Sequence, residues 1–170
     1  MRDRAKPSRR GILRLLSGMV AVLFGKAALA DRAVDPRALG PDGLPLIFWL
    51  IEREDMAGVA RLLDAGTDID APGFHRTTPV LSAAIIDYWQ MVEYLLDRGA
   101  KAAVTDGRGF TLPWLARNSR VVPDGDYGKA LVRVCQTLEE RGLMREVYPP
   151  IRVKEIVAAG QWPPDWFRDR

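Results

Sequence analysis

"LLDAGTDIDAPGFHRTTPVL" (62–81), set above "LLDRGAKAAVTDGRGFTLPW" (95–114), returns Leu62-Leu63 as Leu95-Leu96, Gly66 as Gly99 and Thr78 as Thr111. Every one of these offsets is the same. A fixed period of this length marks a chain that stacks one supersecondary unit on the next. Between the two copies, Met91, Val92, Leu95 and Leu96 recur at i, i+1, i+4 and i+5, one apolar stripe along a helix. Pro79 suits a first helical turn, where its missing N–H has no partner to lose. Ala83 and Ala84 are small enough for neighbouring helices to approach closely. Gly99 suits the left-handed position that closes a helix.

Thr78-Pro79-Val80-Leu81-Ser82-Ala83-Ala84, closed by Met91-Val92-Glu93-Tyr94-Leu95-Leu96-Asp97-Arg98-Gly99-Ala100, resembles an ankyrin repeat. Leu81 stands where that family usually has His, and Asp87-Tyr88 where it usually has Gly-His. The resemblance implies an all-α solenoid of about three helix-pair repeats, with short hairpin tips and a C-terminal helical cap. Upstream, Gly43–Ile51 reads as a degenerate first helix and Val59, Leu62 and Leu63 belong to a second, bulky as an N-terminal cap should be. Downstream, Thr111-Leu112-Pro113-Trp114-Leu115-Ala116 opens a third repeat. Its second helix is expected over Lys129–Arg141, with Leu131, Val134, Cys135 and Leu138 inward and Gly142 at the end. Gly99 to Gly142 is longer than one period, and the excess is the turn-rich loop "NSRVVPDGDYG" (118–128). The expected division is a lead-in over 31–41 and repeats over 42–71, 72–104 and 105–148. A cap over 149–170 follows, with Val153, Ile156 and Val157 inward. Trp162, Trp166 and Phe167 are expected to cover the open end of the stack; an exposed aromatic docking site is the alternative.

The first thirty residues read differently. Met1–Arg10 is basic, a short apolar run interrupted by Arg14 follows, and Ala28 and Ala30 end it in an A-x-A pattern. This is the anatomy of a cleaved secretory signal. The apolar run falls short of the roughly 20 residues a spanning helix needs, so an uncleaved anchor is the lesser reading. Ser8-Arg9-Arg10-Gly11-Ile12-Leu13-Arg14 resembles the twin-arginine export motif, with Ile12 for the usual Phe and Arg14 for the usual Lys. That resemblance implies the twin-arginine export machinery as a partner of the precursor, cleavage after Ala30 and a periplasmic location, with no stable membrane span afterwards. These thirty residues hold seven Lys/Arg and one Asp, against +3 for the whole chain, so residues 31–170 carry −3. A mildly acidic domain without a basic stripe has no electrostatic footprint for nucleic acid.

Catalytic and metal chemistry find little to work with. There is one His and one Cys, with no Cys/His cluster at metal-ligand spacing and no Gly-rich phosphate loop, so no cofactor is expected. Cys135, on the apolar side of its expected helix, reads as inert packing. A hydrolase using His75 with Asp70 or Asp106 is the remote enzymatic reading. In ankyrin stacks the hairpin tips and the exposed ends of the first helices form a concave face that grips other proteins. Carried over by position, that face comprises Glu52, Arg53, Phe74, His75, Thr77, Ile85, Ile86, Gly107, Arg108, Phe110, Asn118 and Ser119. Phe74, Ile85, Ile86 and Phe110 are its large apolar members; the competing reading turns the two isoleucines into the core and lays Phe110 over the next hairpin. The expected function is an exported, non-enzymatic, protein-binding bacterial module. Its partner is another protein: a toxin or hydrolase that it inhibits in the manner of an immunity protein, or a resident enzyme that it assists.

Overall fold

The computed structural model describes residues 34–168. The twin-arginine motif and the expected cleavage site after Ala30 lie outside them. Among the described residues the protein is all-helical, with seven α-helices and two isolated antiparallel bridges. The helices are α1 (Leu46–Glu52), α2 (Met56–Asp64), α3 (Pro79–Ile85), α4 (Trp89–Asp97), α5 (Leu112–Arg117), α6 (Asp126–Glu140) and α7 (Pro150–Ala158). A 3₁₀ turn, Phe74–Arg76, precedes α3.

Helices pack in consecutive pairs, α1 on α2, α3 on α4 and α5 on α6; α1, α3 and α5 also pack side by side, as do α4 and α6. The reason is local patterning. On α4, Trp89, Met91, Val92, Leu95 and Leu96 are all buried, while Ala83 and Ala84 keep α3 thin enough to sit between its neighbours. Each burial of a large aliphatic or aromatic side chain contributes about 1.5–3 kcal/mol, and the deepest residues (Ile47, Ile51, Val59, Leu62, Leu81, Leu112, Leu138) come from all three pairs.

The backbone repeats with the sequence. Gly40 N donates to Leu44 O at 2.7 Å, Gly73 N to Thr77 O at 2.8 Å and Asp106 N to Phe110 O at 3.2 Å, three tips each one period apart. Between paired helices, Asp55 N donates to Leu50 O and Tyr88 N to Ala83 O, again at that offset. After α2, α4 and α6 the chain turns through left-handed Gly66, Gly99 and Gly142, which a Cβ would strain.

Two expectations need correction. Helix α6 begins at Asp126, not Lys129: Gly125 caps it, and Asp126 in its first turn favours the helix dipole. A Cβ on Gly128 would overlap the carbonyls of Val122 and Pro123, so the irregular loop folds back on the new first turn. Helix α7 does not join the helical rows; it lies against the third tip, where a Cβ on Gly109 would overlap the Pro150 carbonyl oxygen. As a result Val153 is fully buried but Val157 is 46% exposed rather than inward. The tail packs on itself: Phe167 is buried, with Trp162 and Trp166 at ring-centroid distances of 4.9 and 5.5 Å and Tyr148 5.8 Å from Trp166. No helix among the described residues is long and apolar enough to cross a membrane.

Candidate functional site

The residues assigned to the concave face occupy two levels. Phe74, His75, Arg108 and Phe110 lie at the tips; Glu52, Arg53, Ile85, Ile86, Asn118 and Ser119 lie at the C-terminal ends of α1, α3 and α5. Phe74 is 64% exposed, Ile85 38% and Ile86 43%, so the isoleucines do not turn inward. Arg53 is exposed and stacks on Trp49 with its guanidinium 4.2 Å from the ring centroid. Phe110 is half-buried, tilted against Trp114 at 5.4 Å and covered by Arg108 at 5.0 Å.

Thr77 does not belong to that surface. It is buried, and its hydroxyl donates to Asp106 Oδ2 at 3.2 Å. Asp106 joins tips two and three: its carboxylate also accepts from Arg108 N, Arg108 Nε and Phe110 N. Gly107 N completes the junction by donating to His75 O at 2.5 Å. Asp70 is held by Lys101, through its backbone N–H at 3.1 Å and its ammonium at 3.6 Å. The two carboxylates named for a hydrolase are thus engaged with other groups, and neither accepts a hydrogen bond from the His75 imidazole among the described residues. Cys135 is half-buried rather than within the core; burial, with Glu139 nearby, pushes its thiol pKa up. No group of three potential metal ligands gathers among the described residues.

Ser119 serves as a bridge. Its hydroxyl donates to Asp87 Oδ1 at 2.7 Å and accepts from the Trp89 indole N–H at 3.0 Å, fastening the start of the inserted loop to the α3–α4 turn. The first turn of α6, just past that loop, reaches further. Tyr127 donates its phenol to Glu54 Oε2 at 2.6 Å, while Tyr88 donates to the Glu54 carbonyl at 3.2 Å; the two tyrosine rings lie 5.9 Å apart. The bond to a carboxylate holds the neutral phenol, so the Tyr127 pKa is pushed up to about 12. The stability this bond contributes is fully present below pH 10, the ordinary phenol value, and is lost as pH rises from about 10 to about 12. Tyr88 also titrates upward, through burial first and then Glu54 and Asp55. The expected result is therefore a difference: between pH 10 and 12, the stability of the native chain falls more than that of Tyr127→Phe. Urea unfolding at stepped pH checks it.

Arg76 is absent from the expected face. The left-handed position of each tip is Gly43 (φ 78°), Arg76 (φ 59°) and Gly109 (φ 89°), and His75 beside it is also left-handed (φ 52°). Two successive non-glycine residues in this region store strain. The signal is present in the sequence, because a glycine stands one period to either side of Arg76. Arg76→Gly is expected to raise stability by about 0.5–1 kcal/mol, the strain relieved less the added chain entropy; chemical denaturation measures it. No protein-family model matches this chain, and no curated protein matches it.

Proposed function

We propose that residues 42–148 form an ankyrin-type stack of three helix-pair repeats whose tips and first-helix ends bind another protein. The observation that carries this is the exposure of Phe74, Ile85 and Ile86, large apolar side chains beside the charged Arg53 and Arg108 and the polar His75. Tip hydrogen bonds and left-handed turns that recur with the sequence period support the repeat reading. The basic, apolar and A-x-A succession of the first thirty residues supports export to the periplasm, with the domain starting at Asp31.

Exposed apolar anchors that become buried at an interface each carry about 1–2 kcal/mol or more. Replacing Phe74, Ile85 and Ile86 together by alanine is expected to abolish partner capture from periplasmic extract while leaving the melting transition in place. Capture that survives the triple change but fails when residues 120–124 are replaced by a Gly/Ser linker, with Ser119 and Gly125 kept, moves the site to the loop. The export half is read by mass spectrometry of the periplasmic protein, with an N-terminus at Asp31 expected. Arg9→Lys with Arg10→Lys is expected to strand the precursor in the cytoplasm; normal export of that variant overturns the twin-arginine assignment.

A further inference from the structure

An open groove of about 660 Å³ runs between tips two and three on one side and α7 with Trp162 on the other. Its size falls within the range of about 300–1,000 Å³ found for ligand clefts. The α7 side offers apolar surface: Val157, left 46% exposed, then Ala158 and the half-exposed Trp162. Charge stands on both sides, Arg76 on tip two and Lys154 on α7. Arg76 and Lys154 both line the groove, and neither has an acidic partner among the described residues.

The acids in the groove are already neutralised, Asp70 by Lys101 and Asp106 by Arg108. Two cations are therefore left over in a domain whose net charge is otherwise negative. Thr78 Oγ1, also in the lining, is shielded from solvent and has no hydrogen-bond partner among the described residues. Arg76 occupies the left-handed position that the other two tips give to glycine. Strain retained at such a position is the kind that accompanies a side chain held in place for use.

We infer that this groove binds an extended acidic–apolar segment of a partner protein, its apolar side chain on Val157, Ala158 and Trp162 and its carboxylates toward Arg76 and Lys154. A protein segment fits better than a free small molecule because the groove is open to solvent, whereas small-ligand sites bury most of their ligand. Charge complementarity selects the acidic segment. The groove adjoins the tip that carries Phe74 but is lined by none of Phe74, Ile85 and Ile86, and so goes beyond that surface.

The test uses a fluorescein-labelled hexapeptide, Ac-Gly-Leu-Asp-Phe-Glu-Gly, and its counterpart with Lys for both acids, titrated against the domain by anisotropy. The acidic peptide is expected to bind in the micromolar range, to weaken with added salt and to shift the Trp162 indole resonance; the basic one is expected not to bind. Arg76→Gly combined with Lys154→Ala should weaken the acidic peptide about tenfold or more while melting no lower than the native chain. That combination separates lost recognition from lost folding. The Phe74, Ile85 and Ile86 alanine variant should bind the hexapeptide as the native chain does, so failure of partner capture at that surface leaves this result standing. Equal binding of both peptides, no binding, or undiminished binding by the Arg76/Lys154 variant overturns the proposal. Self-association that blocks the peptide assigns the groove to a second copy and overturns it as well.

Discussion

Trp89→Ala is expected to lower the folding free energy by about 3–5 kcal/mol, the range for emptying a fully buried large aromatic site. Trp89 has no exposed surface and is the largest fully buried side chain of the molecule's described part. It opens α4, which packs against both α3 and α6, so the cavity would lie where two helix pairs meet. The loss is also polar. The indole N–H donates to Asp87 Oδ1 and Ser119 Oγ, both at 3.0 Å, and without it Asp87 keeps only the Ser119 hydroxyl from this cluster. Asp87 holds a left-handed conformation (φ 60°), which the surrounding bonds must maintain. Trp89→Phe separates the two parts. It keeps most of the packing and removes the donor, so it should cost about 1–3 kcal/mol. A double-mutant cycle with Ser119→Ala then measures the bridge to the inserted loop. Urea denaturation followed by circular dichroism reads every variant; a loss below about 1 kcal/mol for Trp89→Ala would show that the site collapses around the gap.

The helices are legible in the sequence because their signals are local. The stripe of Met91, Val92, Leu95 and Leu96, the proline openings and the closing glycines act within a turn or two, and α3, α4 and α5 fall where those signals place them. What sequence patterning misses is non-local. Val157 sits at an inward spacing on α7 yet stays exposed, because α7 lies against a tip rather than along a helix. Thr77 has the pattern of a surface hydroxyl, and only the distant carboxylate of Asp106, on the next tip, draws it inside. Ser119 and Tyr127 have the composition of loop residues, but they tie the insertion to Asp87 and Glu54 in other helix pairs. For the candidate surface, exposure of Phe74, Ile85 and Ile86 agrees with the expectation. Arg76 stands outside the expected face although its register against Gly43 and Gly109 is visible in the sequence.

Asp106→Ala is expected to cost about 3–5 kcal/mol, because it leaves several donors without their acceptor and each buried one costs about 1–3 kcal/mol. The side chain is completely shielded. Oδ2 accepts from Thr77 Oγ1 at 3.2 Å and Arg108 Nε at 2.8 Å; Oδ1 accepts from the backbone N–H groups of Arg108 and Phe110, each at 2.9 Å. Truncation strands a buried hydroxyl, two backbone donors and a guanidinium at once. Water can reach Arg108, which is partly exposed, but Thr77 has no such relief. The damage should begin at the tips, because this carboxylate closes the third and secures it to the second. The Phe110 amide should therefore lose hydrogen-exchange protection by more than the global change requires. Asp106→Asn keeps the shape and one acceptor oxygen but turns a donor toward groups that also donate, so it should fall between the native chain and alanine. Thr77→Val tests the shared bond from the other side: it removes the hydroxyl and leaves Asp106 its remaining three donors, so its cost should be well below that of Asp106→Ala. Equal losses for Thr77→Val and Asp106→Ala would mean that the hydroxyl, and not the charged acceptor, organises the junction.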